Sequence, residues 1–263
     1  DVLEIAAHHV WLITETNVPH AENVSYFGAG DEAHLVYQFA LPPLLLDAFM
    51  QGDAYYFMKW LEELESPLPG TTYFNFTASH DGIGVRPLEG LVPPERLEAL
   101  VRAVELRGGL VSTRRRGDQD VPYELNIAYV DALQPDESGN IELQARRFLA
   151  TQAIMLGLQG VPATYFHSLV GTRNDRAAAD ASGHPRRINR RKFGWDELQA
   201  QISESGSLAA RIYEGYRRLL EVRRLQAAFH PDGIQMAHRC DASAVICFER
   251  RSPPGDQTIL VVA

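Results

Sequence analysis

Cysteine is almost missing from this sequence. Cys240 and Cys247 are the only two in 263 residues, and neither stands at a zinc or redox spacing, so a disulfide framework is excluded and a reducing cytoplasm is the expectation. Long apolar runs are also missing. No stretch approaches the roughly 20 residues needed to span a bilayer, and no charged-then-apolar leader opens the chain, so no membrane partner is expected. Positive charge is in deficit. With 25 Lys and Arg against 34 Asp and Glu, the net charge is −9, which argues against a nucleic-acid or anionic-lipid partner. The runs Arg114-Arg115-Arg116 and Arg186-Arg187 are local exceptions. No metal-ligand cluster stands out, and no cofactor is expected.

What is present is enough apolar sequence for a sizeable core, 45% of the chain, and a size that fits one large domain or a domain with a smaller companion. Short β-type runs at Val10–Thr14, His34–Phe39, Tyr73–Thr77 and Pro162–Phe166 alternate with helical patterns over 44–64, 94–106, 143–158 and 208–225. Strand followed by helix, four times, predicts parallel βα units and an α/β fold. Connections into the strands are tight, as at Gly160 to Pro162. The stretches after the strands are long and place rich loops on one rim, where barrel enzymes hold their substrates. After Phe229 the pattern changes to alternation over 234–238, 244–249 and 258–262, bounded by Pro231-Asp232-Gly233 and Ser252-Pro253-Pro254-Gly255, which predicts an antiparallel β module. The expected organisation is residues 1–229 in the second half of a barrel and 230–263 in the start of a small β domain. Four βα units are too few to close eight strands. Asp1 is not an initiator Met, and Val2 to His8 read as the tail of a helix, so a fragment of a longer protein is expected.

Two carboxylates sit just past β-type runs. Glu15 follows His9–Thr14 and precedes a polar and aromatic loop. Asp81, beside His80, follows Tyr73–Thr77 and precedes Gly82 and Gly84, which would let backbone approach a ligand. A pair of strand-end acids suits glycoside chemistry, in which one carboxyl gives and takes a proton and others stabilise a cationic sugar ring. The plainer alternatives are a surface carboxylate for Glu15 and an Asp-Gly turn for Asp81. The run Arg186–Phe193 could aim guanidinium groups at sugar hydroxyls or phosphate, or be a solvated basic stretch. Tyr123-Glu124-Leu125-Asn126 reads as a helix start followed by a core stripe at Leu125, Ala128, Tyr129 and Leu133.

Five segments in order then resemble the sucrose phosphorylase group of the α-amylase family of glycoside hydrolases. They are Thr14–His20, Asn75 through Gly84, Tyr123–Ile127, Gly160–Leu169 and Arg187–Arg190. The resemblance implies an eight-stranded (β/α)8 barrel entered before its fifth strand and followed by a C-terminal β domain. It implies Glu15 as general acid/base, Asp81 as transition-state stabiliser, His80 and Arg186 as sugar-binding residues, and Tyr123 and Glu124 on a loop that handles phosphate and acceptor. The family nucleophile, an Asp after the fourth strand with an Arg two residues before it, has no counterpart here. Glu124 replaces a usual Gln, which looks closer to relatives acting on glucosylglycerate or on sucrose phosphorylated on its fructose. Arg114 to Arg116 are the expected offset for that extra carboxylate beside an anionic acceptor. The implied reaction transfers glucosyl to inorganic phosphate through a covalent intermediate. An ordinary retaining α-glucosidase and a non-catalytic sugar-binding piece are the alternatives. The group includes dimers, so a homodimer is compatible with the resemblance.

Overall fold

The computed structural model describes residues 9–135 and 139–263. The helix expected over Val2 to His8 lies outside the described residues. The strands, in chain order, are β1 (Ile13–Thr14), β2 (Leu35–Tyr37), β3 (Thr72–Asn75), β4 (Ile83–Gly84), β5 (Leu110–Arg116), β6 (Gln119–Asn126), β7 (Val161–Pro162), β8 (Ile234–Ala237), β9 (Cys247–Arg251) and β10 (Thr258–Val262). The principal helices are α1 (His20–Ser25), α2 (Leu41–Gln51), α3 (Tyr55–Glu63), α4 (Pro94–Leu106), α5 (Ile141–Gly157) and α6 (Leu208–Arg223). Further helical segments, among them Arg176–Ser182 and Trp195–Ser203, lie within the loops.

β1, β2, β3 and β7 form one parallel sheet in that order, with Ile13 opposite Leu35, Val36 opposite Tyr73, and Phe74 opposite Val161. These are the four βα units read from the sequence, and the sheet is half of a (β/α)8 barrel. Tyr37, Phe39, Phe74 and Phe76 stack in one aromatic cluster. The Tyr37 ring lies 4.6 Å from Phe74 and 5.3 Å from Phe76, and Phe39 lies 5.2 Å from Phe76. The buried core joins Leu41, Leu44 and Leu45 of α2 to Phe57 and Trp60 of α3, Phe148 and Ile154 of α5, and Tyr216 of α6.

The helix expected over 44–64 is two helices. α2 starts three residues earlier, because Pro42 and Pro43 in a first turn lack N–H groups that would have had no partner there anyway. It stops at Gly52, and the Asp53 carboxylate then accepts the Tyr55 N–H to start α3. Asp53 also takes part in a fork. Arg96 of α4 donates to both Asp47 carboxylate oxygens (2.9 and 2.6 Å) and to Asp53 Oδ2 (3.1 Å), with the Asp47 side chain only 3% exposed.

Gly160 makes the tight entry into β7. Its φ is +132°, and a Cβ there would stand 2.6 Å from the Tyr73 carbonyl oxygen. Both the left-side backbone and the contact disfavour a side chain, so Gly160→Ala is expected to destabilise the fold by roughly 1–3 kcal/mol. Urea unfolding of the two proteins side by side checks this.

The second sheet, β4-β6-β5, is an antiparallel insertion between β3 and β7 that carries the loop side of the molecule. The segment Tyr123–Asn126 therefore ends a strand and does not start a helix. Pro122 sits at a slip in register: Ser112 faces Glu124 but Thr113 faces Pro122, leaving Tyr123 with no opposite residue. A proline without an N–H is tolerated at such a bulge, and the bulge bends the strand. The core stripe at Leu125, Ala128, Tyr129 and Leu133 is buried as expected.

The third sheet, β8-β9-β10, is antiparallel throughout. It packs through Ile246 and Phe248 onto the main core. Arg250, fully buried, donates to the carbonyl oxygens of Gly157 (2.9 Å) and His230 (2.8 Å), so its guanidinium ties the end of α5 to the β module. Burial, with Arg223 nearby, pushes its pKa down to about 10. Among the described residues no helix is long and apolar enough to cross a membrane.

Candidate active site

A parallel sheet delivers every strand's C-terminal end to one rim, so residues distant in sequence meet there. Glu15 leaves β1 at that rim, exposed, with its charge felt by the Tyr37 phenol. Burial first, and Glu15 second, raise the Tyr37 pKa. The loop after β3 carries Ser79, His80 and Asp81, and the 3-10 turn Pro185–Asn189 lies in the loop after β7.

These two loops are bound together at Asp81. Its Oδ1 accepts from Arg186 Nη1 at 2.7 Å and from Arg190 Nη2 at 3.1 Å, while His80 Nε2 lies 3.6 Å away. Arg190 Nε also donates to the His80 carbonyl. Asn189 Nδ2 donates to the carbonyl oxygens of Ser79 (3.2 Å) and Asp81 (2.9 Å), and the Tyr165 hydroxyl donates to the Asn189 carbonyl at 3.0 Å. The Asp81 carboxylate is thus held as an acceptor facing two fixed cations, an arrangement of charge-assisted bonds stronger than neutral ones.

The opposite side of Arg186 is taken by Glu124. Arg186 Nε donates to Glu124 Oε2 at 3.0 Å and Nη2 to Oε1 at 2.5 Å, and the Glu124 side chain is only 6% exposed. These bonds, with the nearby carboxylates, hold the Arg186 guanidinium above its ordinary pKa. Tyr123, half-buried, lies close enough to contribute to the same effect.

The structure therefore gathers His80, Asp81, Arg186, Tyr123 and Glu124 into one constellation. Glu15 stands on the same rim, at the end of β1, without a bond to that group. Arg114 to Arg116 do not supply the expected offset to Glu124. Arg114 and Arg116 turn to Glu89 (3.3 and 3.8 Å), and Arg115 to Asp118 and Asp120. The offset comes from Arg186 itself. The basic run is divided in use: Arg186 and Arg190 enter the site, whereas Arg191 pairs on the surface with Glu197. Asn189 and Arg190 were missed individually, because in a run of five cations around one Asn nothing local marks which point inward.

No protein-family model matches the chain. Curated proteins do. The glucosylglycerate phosphorylase of Spirochaeta thermophila is 45% identical over 251 residues, covering 95% of this chain and 42% of the relative. That of Allomeiothermus silvanus is 49% identical over 236 residues, 89% of this chain and 42% of the relative. The chain belongs to the sucrose phosphorylase-like group of the α-amylase family. It spans about 42% of the length of these relatives. The crystal structure of sucrose 6F-phosphate phosphorylase from Thermoanaerobacter thermosaccharolyticum superposes with a TM-score of 0.79 over 98% of this chain and 48% of that one, at 22% identity. That likeness shows a shared fold, the α-amylase-family barrel followed by a β domain.

Proposed function

We propose that the chain supplies half of the active site of a retaining α-glucoside phosphorylase, with a barrel portion to about residue 229 and a β domain after it. The observation that carries this reading is the convergence of Asp81 with Arg186, Arg190 and His80 at the strand-end rim that also bears Glu15. The names of the 45% and 49% identical relatives favour glucosylglycerate as the donor.

Each residue's chemistry fits a step. Protonated Glu15 gives its proton to the glycosidic oxygen as the bond from the anomeric carbon to the leaving group breaks, and a nucleophilic carboxylate from a segment this chain does not match forms the glucosyl ester. Exposure of Glu15 leaves it free to exchange that proton. Asp81, a negative charge fixed by two guanidiniums, stands where positive charge develops on the ring. His80 and Arg186, both partly exposed, have donors available for ring hydroxyls. In the second half, ionised Glu15 removes a proton from phosphate as a phosphate oxygen attacks the anomeric carbon and the ester breaks, giving α-glucose 1-phosphate.

The test is glucose 1-phosphate release by protein expressed from the complete reading frame, supplied in turn with glucosylglycerate, sucrose and sucrose 6′-phosphate, with and without phosphate. Phosphate-dependent release, fastest with glucosylglycerate, is expected. Free glucose formed at the same rate without phosphate would move the protein to the hydrolases.

A further inference from the structure

We propose that Cys240 and Cys247 form an oxidisable dithiol, a modification site that a peroxide converts to a reversible disulfide, with Cys240 attacking and Cys247 resolving. The proposal goes beyond the phosphorylase reading and does not depend on it. Side chains alternate along β9. Ile246, Phe248 and Arg250 are buried, so Cys247, Glu249 and Arg251 face the other side of the sheet. On that face the cross-strand neighbours Met236, Leu260 and Val262 are 47% to 61% exposed, yet Cys247, directly opposite Val262, is only 6% exposed.

The chain after β8 supplies the cover that those neighbours lack. His238 continues the β8-β9 ladder and donates its N–H to the Cys247 carbonyl at 2.9 Å. Two residues later the Cys240 side chain turns back, with its Sγ 4.0 Å from the His238 carbonyl oxygen. There it meets the Cys247 thiol, and the two share a hydrogen bond. Burial first, and the Cys240 thiol second, raise the Cys247 pKa.

The two thiols differ in access. Cys240 is exposed, on the wall of an open cavity of about 330 Å³ between loop 239–245 and α3, whereas Cys247 is closed to solvent. A reagent therefore reaches Cys240 first. The loop is held at both ends of α3. The Ser243 carbonyl accepts the Ala54 N–H at 2.7 Å, and Arg239 donates to both Glu62 carboxylate oxygens at 2.7 and 2.6 Å. A sulfur oxidised at Cys240 is thus kept beside the thiol that reduces it.

The Cys240 thiolate attacks a peroxide oxygen. The S–O bond forms as the O–O bond breaks, and the departing hydroxide takes a proton, leaving a sulfenic acid and water. The Cys247 thiolate then attacks the Cys240 sulfur, the S–S bond forms as the S–O bond breaks, and the second hydroxide leaves as water once protonated. Two electrons pass from the sulfurs to the peroxide, and the two thiol protons end in the two waters. A small thiol reverses the bond by exchange. Such a transient bond is compatible with a chain that has too few cysteines for a disulfide framework.

Peptide mapping tests this in protein from the complete reading frame. Trypsin cleaves after Arg239 and Arg250, so both cysteines leave in one peptide, Cys240–Arg250. Folded, reduced protein is treated with hydrogen peroxide, blocked with iodoacetamide and digested without reductant. The peptide is then expected about 2 Da lighter than the dithiol, with neither sulfur alkylated. Dithiothreitol before blocking should return it to the doubly alkylated form. In Cys247→Ser, which lacks the resolving thiol, dimedone should trap the Cys240 sulfenic acid at least about tenfold more than in wild type. In Cys240→Ser, Cys247 should be oxidised at least about tenfold more slowly than Cys240 is in wild type. A wild-type peptide that stays doubly alkylated, or that gains oxygen at Cys240 without forming the bond, would overturn the proposal. Oxidation of Cys247 in Cys240→Ser at the wild-type rate would overturn the assignment of the attacking thiol. The readout is a mass, so it is independent of whether the enzyme transfers to phosphate, to water or to neither.

Discussion

Under the proposed phosphorylase function, Glu15→Gln in protein from the complete reading frame is expected to lower phosphorolysis of glucosylglycerate by about 10²- to 10⁴-fold, the range that a positioned proton donor supplies. The amide keeps the side chain's size but has no proton to give to the departing oxygen. The expected signature is selective. With α-glucosyl fluoride, whose leaving group needs no proton, formation of the glucosyl ester by the variant should stay within about tenfold of wild type, since departure of fluoride does not draw on Glu15 as an acid. Rapid-quench measurement of the first turnover with each donor separates the two cases. Equal losses with both donors would show that Glu15 acts some other way, for instance by holding the sugar. The exposed setting of Glu15 at the end of β1 also makes a folding defect unlike the expected result.

Arg96→Met costs about 3–5 kcal/mol of folding stability, because it leaves the Asp47 carboxylate enclosed with no cation. Arg96 binds both Asp47 oxygens and Asp53 at once, so α2, the break after Gly52 and α4 all lose their common tie. The loss should depend on pH, in a direction fixed by linkage. Burial raises the Asp47 pKa above its ordinary value, while Arg96 acts to lower it. Without Arg96 the folded-state pKa rises further, so the folded variant holds a proton that the unfolded chain releases near pH 4. Stability carried by a raised carboxyl pKa is fully present below the unfolded value and is lost as pH rises through the folded one. The variant's deficit against wild type should therefore narrow as the pH falls towards about 4. Urea midpoints of both proteins across that range measure it, and a deficit independent of pH would mean that Asp47 stays ionised without its partner. The double variant Asp47→Leu with Arg96→Met should recover much of the loss, as an apolar pair of similar volume replaces the ion pair.

The patterns repeated within a few residues were legible in the chain itself. Runs of β-branched and aromatic residues mark β1, β2 and β3, and helix-period apolar spacing marks α4, α5 and α6. The change to alternation after Phe229 marks β8 to β10. Glu15, His80 and Asp81 could be picked out because a polar residue just past an apolar strand stands out locally. The same local reading failed for the 44–64 segment, where one apolar period runs across Gly52-Asp53, and for Tyr123–Asn126. There, a proline and two long side chains resemble a helix start unless the partner strand β5 is known.

What only the tertiary structure decided is which charges face one another. Arg186 is 62 residues from Glu124 and 105 from Asp81 in sequence, separations at which no periodicity connects them. Their meeting is fixed by parallel strands ending on one rim and by the β4-β6 pairing that brings the insertion against it. Sequence determined the strands, the helices and the candidate acids, because those depend on short-range sterics and on burying one face. The assignment of Arg186 to Glu124, and of Arg114 to Glu89, depended on packing, because a charge takes whichever partner the folded backbone brings within a few ångströms.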